Sequence, residues 1–434
     1  MKPVIAIFDI GKTNKKLFLF DEDYHIVFER SGRFSEIEDE DGFPCENIDS
    51  LKQFVFEGLD EIEALQQFNI KAINFSAYGA SLVYLDEQGN CIAPLYNYLK
   101  PFPEKLEEQF YNTFGDKESF SVQTASPALG SLNSGLQLYR LKHEKPGLFK
   151  RIKHALHLPQ YLAYLLSGEK FSDLTSIGCH TALWDFTKNN YHQWVFDEGI
   201  SGKLAPVLPS DAVVQAGKYK TGIGLHDSSA ALIPYLMSFE DPFVLISTGT
   251  WSISLNPFNQ SSLTPDELRN DCLNYLQYTG KPVKASRFFI GPAYEDGLKQ
   301  LSDTFKANGD KYLDVPYDPA LAAKLTGKQQ NENQPLESAA ILAYYKLVAG
   351  IVEKQKRSTD FILAGTTAKK LFVDGGFSQN EVFMHLLAKA YPQLKVYSAF
   401  IPQSTALGAA LAIHQHWNNS PVPSQLIQLK YYPA

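Results

Sequence analysis

The stretch IFDIGKTNKKLF, residues 7–18, changes character at its midpoint. Apolar residues fill both ends, whereas Gly11–Lys16 in the middle contains a glycine, a hydroxyl, an amide and three lysines. An apolar run on each side of a short glycine-containing tip is typical of a β-hairpin. We therefore predict two strands within residues 4–20, joined by a polar tip that Asp9 precedes.

The hairpin tip has the composition of a phosphate-binding loop. A glycine lets backbone N–H groups approach phosphate oxygens because it has no Cβ. Hydroxyl, amide and ammonium groups add donors, and a carboxylate at a strand end can hold a divalent ion. The alternative is a solvated tip with exposed lysines, since short glycine motifs often occur without a ligand. The candidate phosphate-binding residues are Asp9, Gly11, Lys12, Thr13, Asn14 and Lys16, and Asp9 is the candidate metal ligand.

Two later stretches repeat this pattern. FVLISTGTWSISL, residues 243–255, has strand-like ends around a Thr-Gly-Thr tip, and LFVDGGFSQN, residues 371–380, predicts a strand that runs into paired glycines and a helix. A helix N-terminus favours anions. Two similar hairpins, each opening one half of the chain, indicate two related α/β domains that face one cleft. The candidate nucleotide-binding residues here are Thr248, Gly249, Thr250, Gly375, Gly376 and Asn380.

Composition limits the kind of partner. The 434 residues are 44% hydrophobic and carry a net charge of −8, which argues against nucleic acid or an anionic membrane as a partner. The four cysteines have no paired spacing, so we expect reduced thiols. The apolar run VIAIF is too short for a signal peptide, and no apolar run approaches the ~20 residues that span a bilayer. We therefore expect a cytoplasmic protein.

Other segments predict the order of elements. Residues 72–79 and 81–86 favour a pair of strands, and residues 133–166 favour helices broken at Pro146 and Pro159. Residues 336–358 have the apolar spacing of an amphipathic helix, and Gly408, among alanines, permits close packing of the last helix. The segment 217–224 is rich in glycine, lysine and threonine. We place the domain boundary there, which gives domains of residues 1–220 and 221–434.

Four motifs carry a resemblance to a known family: GLHDSSAAL (224–232), STGTWSI (247–253), CLNYL (272–276) and DGGFSQN (374–380). With them the chain resembles the FGGY family of carbohydrate kinases, within the actin, hexokinase and chaperone ATPase superfamily, and is most similar to the L-rhamnulose kinases among them. The resemblance implies an α/β fold of two actin-like (ribonuclease H-like) domains with a cleft between them, ATP and Mg²⁺ as cofactors, and a small sugar as the acceptor. Dimers are frequent in similar enzymes, so we expect a homodimer.

The resemblance also assigns roles to residues. Asp227 would be the catalytic base that accepts a proton from a sugar hydroxyl, although its local sequence equally suits the N-cap of a helix. His180 and Tyr98 have a structural alternative as packed core residues. The candidate sugar-binding residues are Tyr78, Gly79, Tyr98, His180, His226, Ser228 and Asn274.

The chain departs from the family pattern at several positions. Lys12 stands where threonine is usual, and Gln403 stands where a glutamate often precedes the last helix. YNYLKPFPE, residues 96–104, replaces the usual acidic-plus-arginine pair, which leaves the sugar undetermined. Three interpretations remain open: a kinase of a small ketose or polyol, an actin-like or chaperone ATPase without a sugar acceptor, and a sugar sensor without turnover.

Overall fold

The structure is a computed structural model that describes residues 1–249, 251–306, 315–325 and 336–434. Its strands, in chain order, are β1 Lys2–Ile10, β2 Lys15–Phe20, β3 Ile26–Gly32, β4 Ile37–Glu38, β5 Pro44–Cys45, β6 Phe68–Ala77, β7 Leu82–Leu85, β8 His154–His157, β9 Ser172–Asp173, β10 Trp184–Asp185, β11 Asn190–Tyr191, β12 Val207–Leu208, β13 Val213–Ala216, β14 Tyr219–Gly222, β15 Leu225–His226, β16 Phe243–Thr248, β17 Ser252–Asn256, β18 Cys272–Leu276, β19 Pro282–Phe288, β20 Lys370–Gly375, β21 Lys395–Phe400 and β22 Gln428–Tyr432. Its α-helices are α1 Ile48–Leu65, α2 Glu104–Phe114, α3 Lys117–Thr124, α4 Ser134–Glu144, α5 Pro146–Arg151, α6 Leu158–Ser167, α7 Leu174–Ile177, α8 Gln193–Asp197, α9 Asp227–Ser238, α10 Pro265–Arg269, α11 Ile290–Phe305, α12 Pro319–Lys324, α13 Leu336–Leu363, α14 Glu381–Ala390, α15 Ser404–Ala412 and α16 His414–Trp417.

The first sheet is built on the predicted N-terminal hairpin. Its order is β13-β14-β6-β1-β2-β3, and β15 also pairs with β6. Strand β1 runs antiparallel to β2 and parallel to β6, so Asp9 lies between Lys16 and Ser76. Both faces of β1 are buried, in two separate apolar clusters. That double burial explains why VIAIF is apolar throughout instead of alternating.

The second sheet repeats this arrangement. Its order is β18-β19-β17-β16-β20-β21-β22. Strand β16 runs antiparallel to β17 and parallel to β20, as β1 does to β2 and β6. Helices α13 and α14 pack against this sheet in one apolar cluster. The prediction of two related α/β units, each opened by a hairpin, is confirmed.

Two predicted segments differ from the structure. Strands β6 and β7 both form, but β7 pairs with β8, about 70 residues further along the chain, instead of with β6. The segment 133–166 contains helices as predicted, and they break at Pro146, where α4 has ended and α5 begins, but the second interruption is strand β8, and Pro159 lies in the first turn of α6. Proline suits the first turn of a helix because the N–H it lacks has no partner there.

Helices α9 and α15 pack closely against each other and against the first sheet. A Cβ on Gly408 would collide with the backbone oxygen of Ala230, so only glycine permits this approach. The Asn74 side chain on β6 donates a hydrogen bond of 2.8 Å to the Ala409 oxygen and fixes α15 to the sheet. The predicted close packing at Gly408 is confirmed.

All four cysteines are free thiols. None of the helices in the described ranges has the length and apolarity of a membrane span.

Candidate active site

Asp9 lies at the end of β1, beside the start of α15. Its carboxylate accepts a 2.7 Å hydrogen bond from the Thr405 hydroxyl. Burial raises the pKa of Asp9 to about 6, with the Thr405 bond opposing this shift and the negative charge of Asp227 adding to it. Asp9 and Asp227, 218 positions apart in the sequence, are therefore close enough to repel each other.

Asp227 is the first residue of α9. His226, and not Asp227, occupies the N-cap position, so the alternative interpretation of Asp227 as a helix cap does not match the structure. The carboxylate accepts hydrogen bonds from the backbone N–H of Ser228 at 2.6 Å and from its hydroxyl at 3.2 Å. Burial raises the pKa of Asp227 to about 6, while 32% of its side chain stays exposed. A carboxylate with this pKa is mostly ionised at neutral pH and can accept a proton.

His226 connects Asp227 to the interior of the protein. Its Nε2 atom lies 3.2 Å from the Asp227 carboxylate and 3.1 Å from the Cys179 sulfur. Burial lowers the pKa of His226 to about 4, so the ring is neutral at pH 7. Gly79 faces this ring, and a Cβ there would lie 2.9 Å from it. Gly79, His226, Asp227 and Ser228 are thus brought together as predicted, and Cys179 joins them without having been predicted.

The second sheet contributes Tyr275, which the sequence analysis missed. Its ring lies 6.2 Å from that of His226 and 6.3 Å from that of His180. Burial, with the charge of Arg287, lowers the pKa of His180 to about 3. The predicted Asn274 contacts the Ser261 oxygen at 3.5 Å instead. Successive side chains of a strand point to opposite faces, so Asn274 lies apart from the two histidines.

The tip of the first hairpin is a tight turn. The Gly11 N–H donates to the Asn14 oxygen at 2.9 Å. Thr13 and Asn14 are exposed, and the Asn14 side chain accepts a 3.2 Å hydrogen bond from Arg33. Lys16 pairs with Glu29 at 3.1 Å, on the strand that neighbours the hairpin.

The remaining two lysines of the tip make different ion pairs. Lys15, which was not predicted, is buried in a 2.9 Å pair with Glu46. Lys12 pairs with Glu36 at 2.8 Å and lies over the Tyr78 ring. The predicted Tyr78 and Tyr98 contact each other, with ring centroids 6.2 Å apart.

The tip of the second hairpin is joined to the turn that follows β20. The Thr248 hydroxyl donates a hydrogen bond of 2.5 Å to the backbone oxygen of Asp374 and accepts one of 3.0 Å from the backbone N–H of Phe377. Gly375 has a φ of 78°, and a Cβ there would collide with the Thr248 oxygen, so this turn requires glycine. The Gly249 N–H bonds the Trp251 oxygen at 2.9 Å, while Thr250 lies outside the described residues.

A pocket of about 390 Å³ lies between the turn after β20 and the start of α15. It reaches Thr405, the residue bonded to Asp9. Burial raises the pKa of Asp374 in its wall to about 6. A Cβ on Gly376, also in the wall, would meet no atom within 4 Å. Asn380 instead caps α14 and donates to the Tyr344 hydroxyl at 2.8 Å.

Exposed aromatic residues lie at the same end of the second sheet. The Trp251 and Phe289 rings contact each other with centroids 4.7 Å apart and planes inclined at 40°, and Arg287 lies over the Trp251 ring at 5.4 Å. Trp251 directly precedes β17, next to the Thr-Gly-Thr tip, and Phe289 directly follows β19, the strand that pairs with β17. Their side chains are exposed where apolar rings are usually buried, and the sequence pattern did not single them out.

Comparison with known families identifies the class to which this arrangement belongs. The N-terminal domain of the FGGY family of carbohydrate kinases matches residues 4–225, and the C-terminal domain of that family matches residues 310–414. The chain belongs to the FGGY family of carbohydrate kinases.

Individual relatives are more distant. The chain is 22% identical to the rhamnulokinase of Oceanobacillus iheyensis over 261 residues, which cover 56% of this chain and 54% of the relative. It is 24% identical to a rhamnulokinase of Yersinia pestis over 264 residues, which cover 58% of this chain and 53% of the relative. The chain spans about half the length of the curated relatives it matches.

Solved structures match along almost the whole chain. A carbohydrate kinase from Novosphingobium aromaticivorans has a TM-score of 0.80 at 23% identity and covers 99% of this chain and 96% of that one. A glycerol kinase from Plasmodium falciparum with ADP has a TM-score of 0.73 at 16% identity and covers 96% and 90%. These similarities confirm the predicted α/β fold with two actin-like domains.

Proposed function

We propose that the protein is an ATP-dependent sugar kinase, which transfers the γ-phosphoryl group of ATP to a hydroxyl of a small ketose of the L-rhamnulose or L-fuculose type. The observation that carries this proposal is the proximity of Asp9 and Asp227, two half-buried carboxylates whose charges repel each other beside the predicted phosphate-binding hairpin. Membership of the carbohydrate kinase family and the similarity to rhamnulokinases support it.

Asp227 is the proposed base. The acceptor hydroxyl would give its proton to this carboxylate while its oxygen forms a bond to the γ-phosphorus and the bond from that phosphorus to ADP breaks. Ser228 holds one carboxylate oxygen at 2.6 Å, and the neutral His226 ring contacts the same oxygen. These contacts orient the base and leave its exposed part free for the substrate.

The residues present suit a Mg²⁺ ion that enters with ATP. Mg²⁺ prefers carboxylate oxygens and water, and Asp9, Asp227 and Asp374 are three carboxylates whose pKa values partial or full burial raises to about 6. We assign the ion to Asp9, directly or through water. When bound, it would neutralise charge that develops on the phosphoryl oxygens.

ATP would lie between the two hairpins. We assign its phosphates to the backbone of Gly11–Asn14 and to the Thr248–Thr250 tip, and its adenosine to the pocket beside Gly376. Two features support this pocket as the adenosine site. No atom of the described residues lies within 4 Å of where a Cβ on Gly376 would stand, which leaves room for a ligand, and the pocket reaches Thr405, whose hydroxyl is hydrogen-bonded to Asp9.

Release of ADP tests the proposal. The protein is incubated with Mg-ATP and a panel of L-rhamnulose, L-fuculose, xylulose, ribulose, glycerol and gluconate, and ADP is recorded for each. Release that depends on a sugar supports the kinase, and the sugar with the highest kcat/KM identifies the acceptor. Release at the same rate without any sugar would indicate an ATPase, and no release at all would indicate a sensor. Either of these two results would overturn the proposal.

A further inference from the structure

A wall of the cleft in the first domain combines two tyrosine rings with an ion pair. Tyr78 follows β6 directly and precedes Gly79, which faces the His226 ring. The Tyr98 ring packs edge-on against Tyr78, with 6.2 Å between the centroids. The Lys12 ammonium lies 6.0 Å from the centroid of Tyr78. This wall, formed by Lys12, Glu36, Tyr78 and Tyr98, is called the tyrosine wall below.

The tyrosine wall lies next to the proposed base. Burial raises the pKa of Tyr98, the charge of Lys12 opposes that shift, and the charges of Asp227 and Glu36 add to it. The Tyr98 hydroxyl is therefore within electrostatic reach of Lys12 and Asp227 together.

Glu36 and the Tyr78 ring hold Lys12 in this position. Its ammonium donates to Glu36 at 2.8 Å, and Glu36 belongs to the segment before β4. The Lys12 side chain is 26% exposed and that of Glu36 is 45% exposed, so both keep hydrogen-bonding capacity for a ligand. An ammonium has three donors, of which Glu36 uses one, and a carboxylate has several acceptor positions.

We propose that the Lys12–Glu36 pair determines acceptor specificity by binding two neighbouring hydroxyls of an uncharged sugar, one as acceptor and one as donor, while the sugar's C–H face packs on the half-buried Tyr98 ring, which the buried Tyr78 supports from behind. This inference rests on the proposed kinase function and removes Lys12 from the residues assigned to ATP. An ion pair has no net charge, so it favours a neutral polyol over a sugar acid. Polar groups built to bind hydroxyls also reject analogues that lack them.

Steady-state kinetics of the full-length protein test the pair. We expect Lys12→Met and Glu36→Gln each to raise the KM for the best sugar of the panel about tenfold or more, because each removes a charge-assisted hydrogen bond. The KM for ATP should change less than the KM for the sugar, since only the Lys12 backbone, and not its side chain, is assigned to the nucleotide.

Lys370→Met is the matched control. Lys370 is 25% exposed, pairs with Asp241 at 2.9 Å and lies over the Phe239 ring, so it reproduces the environment of Lys12 away from the cleft. We expect its KM for the sugar to be unchanged. Circular dichroism of all three variants checks that each is folded.

The outcomes separate this inference from the proposed function. If the wild type releases ADP with a sugar but Lys12→Met has an unchanged KM for that sugar, this inference is wrong and the kinase proposal stands. If Lys12→Met raises only the KM for ATP, the Lys12 side chain binds the triphosphate, and the inference about sugar specificity is wrong. If the wild type releases no ADP with any sugar, the kinase proposal fails and this inference fails with it.

Discussion

Asp227 is the proposed base, and its pKa matches that proposed task. Burial raises that pKa to about 6, so the carboxylate is ionised at neutral pH but loses its charge in mild acid. We expect kcat/KM for sugar-dependent ADP release to fall about tenfold per pH unit below about pH 6. A pH profile with circular dichroism at each point distinguishes loss of the base from unfolding. A flat profile down to pH 5 would contradict the assignment.

Removing the carboxylate tests the same residue directly. Asp227→Asn keeps the size of the side chain and abolishes its basicity, so we expect kcat to fall about 10²- to 10⁴-fold. The control is Asp241→Asn, which removes an exposed carboxylate bonded to Lys370. It should leave kcat unchanged, and near-normal turnover in Asp227→Asn would refute the assignment.

The same substitution should stabilise the protein above neutral pH. The folded-state pKa of Asp227 exceeds its ordinary value of 3.8, so its contribution to the free energy of unfolding is fully present below about pH 3.8 and is lost as pH rises through about 6. The asparagine side chain does not ionise, so the Asp227→Asn variant does not lose this free energy as pH rises. We expect Asp227→Asn to raise Tm by about 2 °C or more at pH 8 and by less at pH 4.5. An equal Tm difference at both values would contradict this linkage.

At the residue scale, the sequence predicted which residues lie together where a local motif places them, while their roles stay predictions. The placement of Asp9, Gly79, His226 and Asp227 in one group follows strand ends and turns that such motifs specify. Tyr275 could not be predicted because its position depends on packing between two sheets. The neighbouring Asn274 was chosen instead, although strand alternation turns it to the other face.

At the scale of elements, pattern length decided what could be predicted. The two hairpins and α13 have strong local periodicity and were predicted correctly, although α13 continues to Leu363. Strand β8 has four residues between two helices and pairs with β7 far away along the chain, so no local signal marks it. The domain boundary at 217–224 stays a prediction.

The contact of α9 with α15 supplies a test at this scale. A Cβ on Gly408 would collide with the Ala230 oxygen, a backbone atom that cannot move without shifting α9. We expect Gly408→Ala to lower the free energy of unfolding by about 1–3 kcal/mol, measured by urea denaturation. In the control Gly350→Ala, in α13, the new Cβ meets no atom within 4 Å, and we expect a gain of about 0.5–1 kcal/mol. Equal effects of the two substitutions would contradict the role of Gly408.

At the scale of the whole molecule, the cleft between the two sheets should close on its substrates. Closure would exclude water and suppress ATP hydrolysis. We expect small-angle X-ray scattering to show a smaller radius of gyration with sugar and a non-hydrolysable ATP analogue together than with neither. The two ligands at 100 times their Kd should each raise the free energy of unfolding by about 2.7 kcal/mol. Stabilisation without compaction would mean that the cleft is already closed.

The close contact of α9 with α15 at Gly408 limits which parts of the proposed site can vary in evolution. Helix α9 carries Asp227 at its start, α15 carries Thr405 next to Asp9, and Asn74 fastens α15 to the first sheet. The spacing of the carboxylates of Asp9 and Asp227, the proposed metal ligand and the proposed base, is therefore set by the packing of α9, α15 and the first sheet. In the proposed kinase, the residues of the sugar-binding surface can therefore be substituted without a change in the spacing of the proposed base and the proposed metal ligand.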